Sequence, residues 1–279
     1  MRLRIFFVLV LVFVLPLLAV SARADSFTNL AADNFAVLGA TTVTNVPTSV
    51  ISGNVGTWKS GGANAITGFN SSPGIGFPDS QVTGGLVYAG GPVPMNAQGD
   101  AHSVYTTLQA LPGTDLTGQD LGGLILNPGV YKFTSSAQLT GVLTLNFGGA
   151  SNQVIVIDTG STLTTASGSS VVLQGWNPTD SVYWAVGSSA TLGSTTSFQG
   201  NLISLTDDSL VTKAKDGCGS IIALNGQVSL QMNTIATGCN AATATIVGGT
   251  PPGTVPEPGT FALLSSGLAL GFLKRRKLR

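Results

Sequence analysis

Between Leu121 and Leu205 the apolar positions come in short bursts. LGGLILNPGVYKF, LTGVLTLNFGG, VIVIDTGSTLTT, SSVVLQG, VYWAVGSSATLG and SFQGNLISL each hold a few β-branched or aliphatic residues before Gly, Asn, Ser or Pro interrupts them. Bursts too short for helices, spaced about ten residues apart, signal an all-β sandwich, barrel or solenoid. The pattern predicts strands over 124–126, 130–133, 143–147, 154–158, 171–174, 182–186, 198–205, 221–224 and 228–232. Their recurrence is uneven, so a solenoid built from them is irregular, with turns that differ from coil to coil. Nearer the N-terminus, Val43, Val50 and Val55 stand among Thr, Ser, Asn and Gly, which predicts short strands with one packed and one wet face. With Val43 pointing inward, a period of two turns Thr42 and Thr44 outward.

One stretch has a different period. Ala97, Ala101, Val104, Leu108 and Leu111 fall at steps of four, three, four and three, a single apolar stripe on a helix over 94–111. Pro94 suits its first turn and Pro112-Gly113 ends it, while the small alanines let it lie close against a sheet. His102, the sole histidine, falls beside the stripe with no acidic or nucleophilic residue in motif spacing, and reads as a surface residue rather than a catalyst. The Gly-, Ser-, Pro- and Asn-rich segment 59–91 reads as long loops pinned by Phe69, Phe77 and Tyr88.

The two ends are apolar addresses rather than fold. Arg2 and Arg4, the apolar run from Ile5 to Val20 and Ala22-Arg23-Ala24 describe a secretory signal peptide over 1–24, cleaved after Ala24. At the other end, VPEPGT precedes a short apolar segment from Phe261 to Leu273 and the basic tail KRRKLR. That segment is shorter than the ~20 residues of a comfortable transmembrane helix, and its flanking charge places the tail on the cytoplasmic side. Pro256, Glu257 and Pro258, followed by the apolar stretch and basic terminus, resemble the PEP-CTERM sorting signal of Gram-negative bacteria. That resemblance implies an exosortase-type sorting protease as partner, transient membrane anchoring, and a secreted or cell-surface location; an ordinary C-terminal anchor is the alternative.

Removing the addresses changes the charge. The full chain of 279 residues is formally neutral, but 25–255 holds four lysines against eleven aspartates, with no arginine or glutamate, which leaves −7. An acidic, arginine-free body argues against nucleic acid or anionic lipid as partner. Its length suits one domain, placed at 25–250, with 251–279 as the sorting segment. Cys218 and Cys239 are the only cysteines, and an oxidising compartment predicts that they pair. A metal site is the weaker alternative, since one distant histidine completes no ligand set, and nothing in the pattern asks for a cofactor.

Taken in order, NFAVLGATTVTN, VISGNVG, AITGF, the AQGDAHSVY helix, LGGLILNPGVYKF, LTGVLTL, GSTLTTASGSSVVL, VGSSATLG with TSFQGNLISL, and LNGQVSLQMNTI resemble the microbial secreted ice-binding protein family over most of 30–236. The resemblance implies a mainly β fold, an irregular right-handed β-solenoid with one long α-helix packed along its side, whose N-terminal strands stack against later coils. It also implies an ice crystal surface as partner, met by one flat face. Threonine suits such a face because its χ1 is stiff and it offers one methyl and one hydroxyl. Alternation about Val43, Leu163, Leu192 and Leu230 nominates Thr42, Thr44, Thr162, Thr164, Thr191 and Ser229 as outward, ice-facing residues. Matches to the Thr-Ala/Gly-x-Thr/Asn motif of some family members, at TGFN 67–70, TGST 159–162 and TGCN 237–240, add little in a chain this rich in Thr and Gly.

Two other functions compete. β-Solenoid enzymes that act on polysaccharides need clustered carboxylates, and the nearest cluster, Asp207, Asp208, Lys213, Lys215 and Asp216, reads as a charged turn between strands, so no enzymatic activity is expected. A surface adhesin, with an exopolysaccharide as partner, is the stronger rival. It would need a groove with Trp or Tyr beside Asp or Asn, from among Trp58, Trp176, Trp184, Tyr131 and Tyr183, of which Trp184 is expected inside.

Overall fold

The computed structural model describes residues 25–26, 34–46, 48–59, 65–70, 74–239 and 245–246; the expected signal peptide and the expected sorting segment lie outside them. The chain winds through three sheets in turn. A full coil runs, for example, Val154–Thr159, Leu163–Thr165, Ser170–Gln174, and the next begins at Ser181–Val186. Stacked coils build a ten-stranded, a seven-stranded and an eight-stranded sheet, parallel throughout except where Ile75–Phe77 pairs antiparallel with Val87–Ala89. The protein is therefore a β-solenoid with three faces.

Stack order is not chain order. The last coil, starting at Ile221–Ala223, pairs with the first, starting at Phe35–Gly39, which in turn carries Asn54–Thr57 and then Val87–Ala89. After Val87–Ala89 the chain stands at one end of the stack, and it must reach Thr114–Asp115 at the other, eight strand spacings away. At ~4.8 Å each that is about 38 Å, and a 19-residue helix covers about 28 Å of it. This is why one long helix, Pro92–Ala110, lies along the solenoid.

The helix explains the composition of the ten-stranded sheet. Val154–Thr159 and Ser181–Val186 are buried at every position because one side fills the solenoid and the other meets the helix. Phe35, Leu38, Val156, Tyr183 and Ile203 form a second core with Ala97, Ala101, Val104, Tyr105 and Leu108, separate from the interior core around Trp184. Lys132 fastens the helix end: its ammonium donates to the Gln109 and Leu111 carbonyls at 2.8 and 3.1 Å and pairs with Asp158 at 2.7 Å. Burial, and secondarily the Asp158 charge, push the Tyr105 phenol up to about 12.

The predicted stripe is buried through Leu108, with Gln98 and Tyr105 added, while Leu111 is the half-buried C-cap. Cys218 and Cys239 form a disulfide with Cα atoms 5.2 Å apart. It holds the exit of the last coil, where the Cys239 carbonyl accepts from Val182 N and Asn201 Nδ2.

Four expectations need correction. The described residues of segment 59–91 are not all loop but include strands Ile66–Thr67, Ile75–Phe77, Val82–Thr83 and Val87–Ala89; Phe69 and Tyr88 pack on the cores as expected, yet Phe77 is 52 % exposed. Val50 faces solvent and Ile51 fills the interior. The strand expected over 198–205 is two strands, Ser197–Phe198 and Asn201–Ser204, because the chain turns a corner at Gln199-Gly200. The charged turn is also strand: Asp208–Leu210 belongs to the seven-stranded sheet and Lys215–Asp216 to the eight-stranded one.

Candidate functional site: the outer row of the seven-stranded sheet

The seven-stranded sheet is made of strands only two or three residues long: Ala137–Leu139, Leu163–Thr165, Ala190–Leu192, Asp208–Leu210, Val228–Leu230, Val43–Asn45 and Ile66–Thr67. In each full strand the first and third residues are buried and the middle one points out. Parallel register aligns these middle residues into one row, Gln138, Thr164, Thr191, Ser209, Ser229, Thr44 and Thr67. Six consecutive hydroxyls thus stand at strand spacing, ~4.8 Å apart. None of the six donates to or accepts from another described residue.

A flanking row precedes each strand, and it is chemically different. Thr162 Oγ1 donates to Ser136 Oγ at 2.9 Å, Ser189 and Thr206 share a hydrogen bond of 2.7 Å, and Thr42 Oγ1 donates to Gln227 Oε1 at 3.3 Å. These hydroxyls are spent on holding the corner. Of the six residues nominated from sequence, Thr44, Thr164, Thr191 and Ser229 fall in the central row, and Thr42 and Thr162 in the flanking one. Ser209 and Thr67 complete the row and were not nominated. The three Thr-Gly motif matches form no row of their own: Thr67 stands in the hydroxyl row, Thr159 is fully buried at the end of a strand of the ten-stranded sheet, and Thr237 follows Thr234–Ala236 of the eight-stranded sheet.

Beneath the row, the inward positions are Ala137, Leu163, Ala190, Asp208, Val228, Val43 and Ile66. Asp208 is fully buried, accepts a hydrogen bond from Ser204 Oγ, and leaves its second oxygen without a partner. Burial raises its carboxyl well above the usual range, against the pull of Ser204. Asp216, under the eight-stranded sheet, is likewise fully buried and raised; the amides of Cys218 and Gly200 offset this only in part, and neither oxygen has a well-formed hydrogen bond. Asp207, by contrast, is half-buried, and its carboxylate accepts from Gln227 N at 2.9 Å. The five charged residues of this region therefore face different ways, and among the described residues no three His, Cys, Asp or Glu gather as a metal site.

Most of the aromatic side chains are engaged in packing. Trp184 lies inside, its indole donating to the Gln199 carbonyl at 3.0 Å, and Tyr183 is buried under the helix. Tyr131 and Trp176 are half-buried against the interior core. His102 is exposed, as expected. No aromatic residue occupies the hydroxyl row.

The ice-binding-like family matches residues 37–236, which contain the whole row. The chain belongs to that family. An ice-binding protein of Nostoc sp. (strain HG1) is 42% identical over 265 residues, covering 92% of this chain and 90% of the relative. One from Flammulina populicola is 35% identical and covers 75% and 88%. Among solved structures, the ice-binding protein of the Antarctic ascomycete Antarctomyces psychrotrophicus is 34% identical, with a TM-score of 0.65 over 77% of this chain and 99% of its own. A domain of a Shewanella frigidimarina ice-binding protein gives a TM-score of 0.67 at 25% identity, over 76% and 97%. Residues 254–277 match the PEP-CTERM protein-sorting motif, so the family fold is joined here to a sorting motif.

Proposed function

We propose that the protein is exported and adsorbs to ice through the outer face of its seven-stranded sheet, slowing crystal growth or recrystallisation. The observation that carries this reading is the row of six hydroxyls in register with no competing partner among the described residues. A hydroxyl already bonded within the protein has less to offer an ordered water, whereas a stiff threonine with an unused hydroxyl holds one in place while its methyl limits lateral movement. Each water-mediated contact is weak, because immobilising a water costs up to about 2 kcal/mol, so adhesion depends on many contacts at a fixed repeat. The solenoid supplies the repeat, and the buried residues beneath fix it.

Thr44, Thr164, Thr191, Ser209, Ser229 and Thr67 form the contact row, and Thr42 and Thr162 brace its edge. The family and the export signal support the same arrangement: a signal peptide over 1–24, an ice-binding body over 25–250 and a sorting segment over 251–279 in which Pro256, Glu257 and Pro258 address an exosortase-type protease. The body then acts at the cell surface or in the medium, without catalysis. Partitioning of the purified protein into a slowly growing ice hemisphere, together with thermal hysteresis, tests the reading. Enrichment in the ice supports it, and exclusion from the ice with no hysteresis refutes it.

A further inference from the structure

A cleft of about 300 Å³ lies where the ten-stranded sheet turns into the seven-stranded one, beside the N-terminal half of the helix. Between the corners at Trp58 and Asn225 the intervening coil turns through Gly39 and Ala40, and the helix contributes Gly99, where an added Cβ would meet nothing within 4 Å. Backbone bonds hold the three corners together, Lys59 N to the Ala40 carbonyl at 2.9 Å and Ala40 N to the Gly226 carbonyl at 3.0 Å.

The lining chemistry is unlike the rest of the body. Eleven aspartates leave that body at −7, yet among the described residues no carboxylate lines the cleft, which instead holds the sole histidine, His102, and one of the four lysines, Lys59. Lys59 donates to Asn225 Oδ1 at 3.0 Å, leaving further N–H groups available. Gln98 is only 4 % exposed; its Nε2 donates to the Ala223 carbonyl at 2.9 Å while its Oε1 has no partner. The indole Nε1 of half-buried Trp58 is also buried without a partner. One unanswered acceptor and one unanswered donor thus belong to side chains of the same cleft, both sunk beneath its surface, and such groups are costly to leave unpaired.

We propose that this cleft binds a carboxylated pyranose, a uronic-acid unit of a polysaccharide. The indole, with the Lys59 ammonium 6.0 Å from its ring centroid, offers a face for the ring C–H groups, and Lys59 with His102 meets the carboxylate. The volume stands at the low end of the about 300 to 1,000 Å³ of small-molecule sites, which suits one or two sugar rings. The cleft shares no residue with the hydroxyl row, so the proposal does not depend on ice binding.

Calorimetric titration of the purified protein with trigalacturonate tests it, with neutral maltotriose and an oligoglutamate peptide as comparisons. The expected result is binding of trigalacturonate alone. Trp58→Ala weakens it by about tenfold, the loss expected when an aromatic contact and its buried area are removed. Lys59→Gln, at an exposed position, weakens it and flattens its salt dependence, and decides the matter should Trp58→Ala fail to fold. No binding of trigalacturonate, equal binding of maltotriose or oligoglutamate, or unchanged binding by Lys59→Gln would overturn the proposal.

Discussion

Two faces of this solenoid are open, and they differ in one row each. On the seven-stranded face the central outward row is hydroxyl from Thr164 to Thr67 without a break. On the eight-stranded face the aligned row is Val142, Ser170, Ser197, Lys215, Thr234 and Val50. It has hydroxyls too, but valines 50 % and 58 % exposed stand at its ends and a lysine in its middle. An ammonium imposes its own strong hydration, so water beside Lys215 orders around the charge and not around the repeat. Both faces share the same stack spacing and the same threonine and serine content in part; continuity of side-chain chemistry separates them.

Exchanging that difference gives the largest expected effect. Ser209→Lys places a charge in the middle of the hydroxyl row, as Lys215 does on the other face, and is expected to reduce ice adsorption to background. Its stability should change by no more than about 0.5 kcal/mol, as for other surface substitutions, which a thermal melt would verify. A full loss of folding instead would remove the distinction between the faces.

The next effect is on stability and compares the two sheets from inside. Asp208 and Asp216 each lie beneath one of the faces with a carboxyl raised by burial. Below the unfolded value of about 3.9 both states are protonated, and stability is complete. As pH rises, the unfolded chain ionises first, so stability falls progressively towards the raised folded values. Melting temperature should therefore decline from mildly acidic to neutral pH, and Asp208→Asn with Asp216→Asn should flatten the decline. A profile that rises over this range would contradict the burial of both groups as neutral acids.

A smaller effect separates the two rows of the seven-stranded face. Thr162→Val removes the donor to Ser136 and should cost about 1 kcal/mol of stability by denaturant titration while leaving most ice adsorption in place. Thr164→Val should do the reverse. Smallest of all, Lys215→Thr on the eight-stranded face should leave ice adsorption as it is, because valines still bound that row.

These contrasts were legible in the sequence only in part. Strands buried on both sides, such as Val154–Thr159, announce themselves by composition, and the helix by its period. Three-residue strands such as Ala190–Leu192 leave too little pattern to be read as strands, although alternation about Leu192 still turns Thr191 outward. Ser209 escaped because the inward residue before it is an aspartate, so the apolar mark of the interior is missing where a carboxyl is buried. Strands separated by glycine in 59–91 read as loop for a similar reason. Alternation gives the side on which a residue stands; it cannot give the row. That Thr44 follows Ser229 depends on the first coil stacking on the last, a pairing between residues 185 apart in the chain.

The central claim is that the hydroxyl row, and not the neighbouring face, meets ice. Thr191 and Ser197 are both half-buried, outward-facing and in the same coil, one on each face. Ice partitioning of the purified Thr191→Tyr and Ser197→Tyr proteins, each verified as folded by its melt, compares them directly. The account predicts that Thr191→Tyr is excluded from ice while Ser197→Tyr is taken up like the unaltered protein, and the opposite outcome would move the ice-binding surface to the eight-stranded face.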